Sequence, residues 1–126
     1  MAIKAKAFAY SGIAVSFAAA LTLSSNIQAA GLGVSQTSIQ KGQEAAFNRK
    51  QGNCLACHLI PGGVSPGNIA PPLVGMKERF PDRAALKEQI YDPRIKNPDT
   101  SMLPFGAHGI LTDEQINDIV DFLYTL

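Results

Sequence analysis

The sequence predicts a small all-α domain of three or four helices joined by long loops. Three observations carry this expectation. The C-terminal stretch from Leu111 has a complete helix-start signature followed by an apolar face. No segment alternates apolar and polar residues with the period of two that a half-buried strand shows. Residues 51–75 and 92–110 hold Gly and Pro too often for a long helix or a strand, so they read as loops.

Residues 1–30 read as an address rather than as part of the fold. Lys4 and Lys6 give a positive start, no residue from Ala7 to Leu23 is charged, and Ser24, Ser25, Asn26 and Gln28 form a polar end before Ala29 and Ala30. This is the pattern of a secretory signal peptide cut after Ala29 or Ala30. The apolar stretch is short of the ~20 residues a spanning helix needs, so no membrane span is expected after cleavage. No Cys lies near the cut to be acylated. The expected organisation is a leader over 1–29 and one exported domain over 30–126.

In the remaining chain the first helix is expected from about Ile39 to Lys50, with Thr37 or Ser38 as cap and Thr37 with Gln40 as a capping box. Ile39, Ala46 and Phe47 supply its apolar face, and Gly42 permits close packing. Gly52 ends it. Pro81 and Asp82 open a second helix that runs to about Tyr91, where Pro93 stops it. In the last helix Thr112 is the N-cap and Gln115 completes the capping box. Leu111 and Ile116 form the hydrophobic staple, and Ile116, Ile119, Val120 and Leu123 share one face.

Composition narrows the function. The chain has 126 residues, of which 46% are hydrophobic and 17% charged, which is globular rather than disordered. The formal net charge is +1 and falls to −1 once Lys4 and Lys6 leave with the leader. No basic field exists to hold nucleic acid. A domain of about 97 residues has a thin core, and exported domains of that size usually add disulfides, a metal or a cofactor. Two Cys are too few for a disulfide framework.

Both cysteines lie in one motif, Cys54-Leu55-Ala56-Cys57-His58. C-x-x-C-H is the attachment signature of a c-type haem. Two thiols one turn apart reach the two vinyl groups of one porphyrin edge, and the adjacent imidazole binds iron from the proximal side. A dithiol redox pair would normally cap a helix in a βαβ context, which is missing. A zinc site would have to recruit His108, fifty residues beyond His58. The motif therefore predicts one covalently bound haem c. The apolar run Met102-Leu103-Pro104-Phe105 within a Pro-rich loop needs something apolar to cover, and a porphyrin face suits it.

Three side chains are candidates for the distal iron position: Met76, Met102 and His108. Met76 follows His58 by only eighteen residues and precedes a charged run, Lys77-Glu78-Arg79. Its other role is to fill a gap in the core. Met102 lies forty-four residues beyond His58 in the apolar loop, and a Met/His pair is common in electron-transfer cytochromes c. His108 would serve if ligation were bis-histidine. The carbonyl of Pro71 or Pro72 is a candidate acceptor for the free N–H of His58.

Three longer stretches, GNCLACHLIPGG, PGNIAPPLVGMKERFPDRAALKEQIYDP and MLPFGAHGILTDEQINDIVDFLYTL, resemble the SoxX family over about residues 37–126. SoxX is the monohaem cytochrome c subunit of the SoxAX complex of sulfur oxidation. The resemblance implies a class I cytochrome c fold with long haem-wrapping loops. It also implies a periplasmic heterodimer with a SoxA-type haem subunit and L-cysteine S-thiosulfotransferase activity, which oxidatively couples thiosulfate to a cysteine of the carrier SoxYZ. It assigns Cys54 and Cys57 as thioether attachment points, His58 as proximal and Met102 as distal ligand. With both cysteines committed to haem, this chain has no thiol nucleophile left. It is therefore expected to pass electrons to a downstream acceptor while catalysis sits on the partner. A free-standing electron-shuttle cytochrome c is the alternative.

Overall fold

The computed structural model describes residues 35–126; the expected leader and its cut site lie outside the described residues. Helix α1 spans Gln36–Phe47, α2 Met76–Arg79, α3 Arg83–Tyr91 and α4 Asp113–Leu123, with single 3-10 turns at Cys54–Ala56 and Pro93–Ile95. Among the described residues there is no strand, only an isolated parallel bridge between His58 and Ala70. The all-α expectation holds.

Helix α4 starts as the sequence indicates. The Thr112 hydroxyl accepts from Gln115 N at 3.2 Å, and the Gln115 side chain accepts from Thr112 N at 2.9 Å, so two orphan donors are satisfied reciprocally. Leu111 and Ile116 are both buried, as a staple requires. Helix α1 begins earlier than expected. The Ser35 side chain takes the Ser38 N–H at 3.1 Å and so caps the helix a full turn before Ile39. It also ends earlier, at Asn48, whose side-chain oxygen draws the Lys50 N–H into a turn at 2.9 Å.

The core is the crossing of α1 and α4. Gly42 sits at the point of contact, where a Cβ would overlap the Asp118 carbonyl. Phe47 and Phe122 meet edge to face with ring centroids 5.7 Å apart. The Ser38 hydroxyl donates to Asp121 at 2.6 Å and pins the other end of the crossing. Ile116, Ile119 and Val120 are at most 1% exposed. At about 1.5–3 kcal/mol for each fully buried aliphatic side chain, this face outweighs the ion pairs Arg83–Asp121 and Lys87–Asp113 that tie α3 to α4. The turn α2, which the charge run hides, exists because Met76 turns inward to the same core while Lys77, Glu78 and Arg79 remain outside.

Candidate functional site

The cysteine motif lies on the 3-10 turn that follows α1. Asn53 adopts the left-handed conformation (φ 46°), which Asn tolerates better than most residues, and swings the chain into the turn. The Cys57 and His58 amides both donate to the Cys54 carbonyl, at 3.2 and 2.9 Å. That winding sets Cys54 and Cys57 one turn apart with His58 directly after them. Both thiols are free and half-buried. Burial, aided by the neighbouring Cys57, pushes the Cys54 thiol up to about 11, against the smaller lowering effect of a backbone hydrogen bond. Redox-active C-x-x-C pairs move in the opposite direction. At neutral pH Cys54 is therefore held as a thiol and is a poor nucleophile.

A second segment runs parallel to the motif. Gly67 N donates to the Leu55 carbonyl, Ala70 N to Cys57 and Leu73 N to Leu59, at 2.7, 3.1 and 2.9 Å. Gly67 allows the approach, because a Cβ there would overlap the Ala56 carbonyl. The pairing delivers the Pro71 carbonyl to His58 Nδ1 at 2.7 Å. A carbonyl only accepts, so Nδ1 carries the proton and Nε2 keeps its lone pair for a metal. Of the two prolines the sequence offers, Pro71 is the partner. Arg79 donates to the Pro72 carbonyl at 2.7 Å and braces the same segment.

The structure separates the three distal candidates. Met76 is 2% exposed and belongs to the hydrophobic core, with Arg79 Nη1 3.5 Å from its sulfur. His108 lies on the surface, its Nε2 3.4 Å from Arg94 Nη1, while Arg94 is itself paired with both oxygens of Asp92. Met102 is half-buried against the edge of the core. Its amide donates to the Thr100 hydroxyl at 3.1 Å, and its sulfur receives the Gln89 side-chain amide at 4.0 Å. Gln89 and Arg94 carry no sequence motif; Gln89 is legible only as a polar residue one turn beyond the buried Leu86 on the same helix.

The loops around these groups carry apolar side chains on their outside. Leu59, Val64, Ile69 and Val74 are exposed on one loop, and Ile95, Leu103 and Ile110 on the other. Among the described residues no cluster of three or more His, Cys, Asp or Glu could hold a bare metal ion. A paired thiol set, an oriented imidazole, a thioether and an apolar surround together suit a metalloporphyrin rather than a naked cation.

Residues 38–123 match the family model described as "Cytochrome C oxidase, cbb3-type, subunit III". The fold is similar to a chain of the crystal structure of SoxXA from P. pantotrophus, at 31% identity and a TM-score of 0.61 over 68% of this chain and 79% of that one. The chain belongs to the cytochrome c family and is of the SoxX type. Its fold is the class I cytochrome c fold, and a cytochrome c domain implies haem c. The donor set fits that group: Cys54 and Cys57 could hold its edge, and His58 and Met102 could ligate its iron. This SoxX-type cytochrome is also 38% identical over 97 residues to an "Uncharacterized lipoprotein" of Aquifex aeolicus (strain VF5). The match covers 73% of this chain and 47% of that protein, so the chain spans about half the length of its curated relative. Among the described residues no helix is long and apolar enough to cross a membrane.

Proposed function

We propose that this chain is the electron-accepting subunit of a periplasmic L-cysteine S-thiosulfotransferase, working with a SoxA-type haem subunit on a SoxYZ-type carrier. The observation that carries this reading is the likeness to a chain of SoxXA at 31% identity over 79% of that chain. One haem c is attached through Cys54 and Cys57, with His58 as proximal and Met102 as distal ligand. When bound, it supplies a single-electron couple, and Met/His ligation sets the potential high.

The chain's own residues explain the division of labour. Joining a thiol to thiosulfate makes a sulfur–sulfur bond and releases two electrons. Such a reaction needs a sulfur nucleophile. The sequence has two cysteines, both in the attachment motif. Pro71 holds the His58 tautomer and ring orientation, and Thr100 holds the Met102 backbone. Nothing in this set attacks sulfur; everything in it fixes ligands. The bond therefore forms on the partner, and the exposed apolar loops at residues 60–70 and 100–110 border the edge through which electrons enter.

Gel filtration with a SoxA-type subunit tests the assembly. Co-elution as a heterodimer, with thiosulfate conjugation only in the joint peak, is the expected result. Separate elution together with rapid reduction by unrelated redox partners would instead mark a free electron shuttle.

A further inference from the structure

Gln89 stands apart from the surface of its own helix. Helix α3 buries Leu86 and Ile90 in the core. Gln89 lies between them on the turn, half-buried, and sends its amide to the Met102 sulfur at 4.0 Å, within the longer reach of contacts to sulfur. A glutamine amide nitrogen only donates, and a thioether sulfur only accepts. Met102 is thus held at two points, its amide by Thr100 and its sulfur by Gln89. A free methionine side chain has three rotatable bonds and adapts readily to its surroundings.

We propose that Gln89 is a positioning residue that occupies one lone pair of the Met102 sulfur and so selects which lone pair faces the iron. This rests on Met102 being the distal ligand. A thioether sulfur has two lone pairs on opposite sides of its C–S–C plane. With one engaged by the Gln89 amide, only the other is free to bind a metal, and the methyl group has one orientation. The bond also draws electron density from sulfur, which weakens its donation to ferric iron more than to ferrous iron and raises the potential. The residue acts through Met102 and touches no substrate.

The test uses the haem-loaded chain, with Gln89→Met, which keeps the side-chain length, and Gln89→Leu, one atom shorter; neither has an N–H to donate. Reduction potential, imidazole affinity of the oxidised protein and the haem-methyl proton shifts are measured for each. Loss of one hydrogen bond is expected to let imidazole displace Met102 with an affinity about two- to tenfold higher. The potential should fall, and the shifts should move toward an average of two methionine orientations. A lower potential, tighter imidazole binding or averaged shifts in either folded variant supports the proposal, and a change in the opposite direction counts against it. Potential, imidazole affinity and shifts all equal to wild type in both variants would overturn it. Met102→Ala separates this from the ligand assignment. If that variant keeps the sulfur-to-iron charge-transfer band, the ligand reading itself fails; if it loses the band while both Gln89 variants match wild type, only the role of Gln89 fails.

Discussion

The imidazole of His58 donates through Nδ1 to the carbonyl of Pro71, 2.7 Å away and thirteen residues further along the chain. The bond is long-range, yet it is prepared locally. The parallel pairing of residues 67–73 with 55–59 sets the distance, and Pro71's own ring fixes its φ while Pro72 after it restricts its ψ to the extended range, so the carbonyl holds its direction. A histidine ring otherwise turns about two bonds. Here Nε2, the nitrogen left free to bind a metal, has one direction to face.

The ligand assignment predicts a clear order among three variants. Met102→Ala should abolish the sulfur-to-iron charge-transfer band of the oxidised protein and lower its potential. Met76→Leu should do neither, because that sulfur lies in the core with only 2% exposure. His108→Ala should leave the low-spin spectrum intact, since the ring sits on the surface beside Arg94. Optical spectra and redox titration of the three proteins decide the matter.

Covalent attachment predicts colour that acid–acetone does not extract. Protein made with a cytochrome c maturation system should be red. The double variant Cys54→Ser, Cys57→Ser should be colourless and poorly folded, because a domain of this size draws much of its apolar core from the cofactor. Circular dichroism shows which state forms; a stable, cooperatively folded double variant would refute the core argument.

Gly42→Ala sets helix propensity against packing. Alanine would gain about 1 kcal/mol in a free helix. In this crossing its Cβ would overlap the Asp118 carbonyl, which is backbone and cannot swing aside. Overpacking of about 1–3 kcal/mol should win. The expected result is a thermal midpoint several degrees lower, at about 4–8 °C per kcal/mol for a domain of this size.

Asp92 predicts an acid-side loss of stability. The hydrogen bond from Arg94 holds its carboxyl below the usual carboxylate range. A group depressed in the folded state stabilises above its unfolded value, about 3.9 for Asp, and loses that contribution as pH falls through the folded value. Asp92 also accepts from the Arg94 amide and starts the 3-10 turn at Pro93. Denaturation curves between pH 2 and 6 should show a small loss below about pH 4 in wild type that Asp92→Asn lacks.

What the sequence reveals here follows how local each cause is. Helix α4 is readable to the residue because Thr112, Gln115, Leu111 and Ile116 all act within one turn. The start of α1 is not, because Thr37 and Ser38 read as caps while Ser35 in fact takes the Ser38 N–H and the Ser38 hydroxyl is engaged by Asp121, far away in sequence. Turn α2 hides behind its charges, since Met76 alone carries its inward face. The attachment motif is contiguous and therefore visible. The Pro71 bond is visible in kind, because a proline-rich segment follows the histidine. Gln89 is not, because its meaning depends on a loop thirteen residues away.

The central claim is that this chain carries electrons and performs no sulfur chemistry. The most direct test incubates the isolated haem-loaded chain with thiosulfate, a reduced carrier cysteine and a chemical oxidant, and follows the carrier's mass. No thiosulfate adduct should form until a SoxA-type subunit is added, and then it should form readily. An adduct in the absence of that partner would contradict the account.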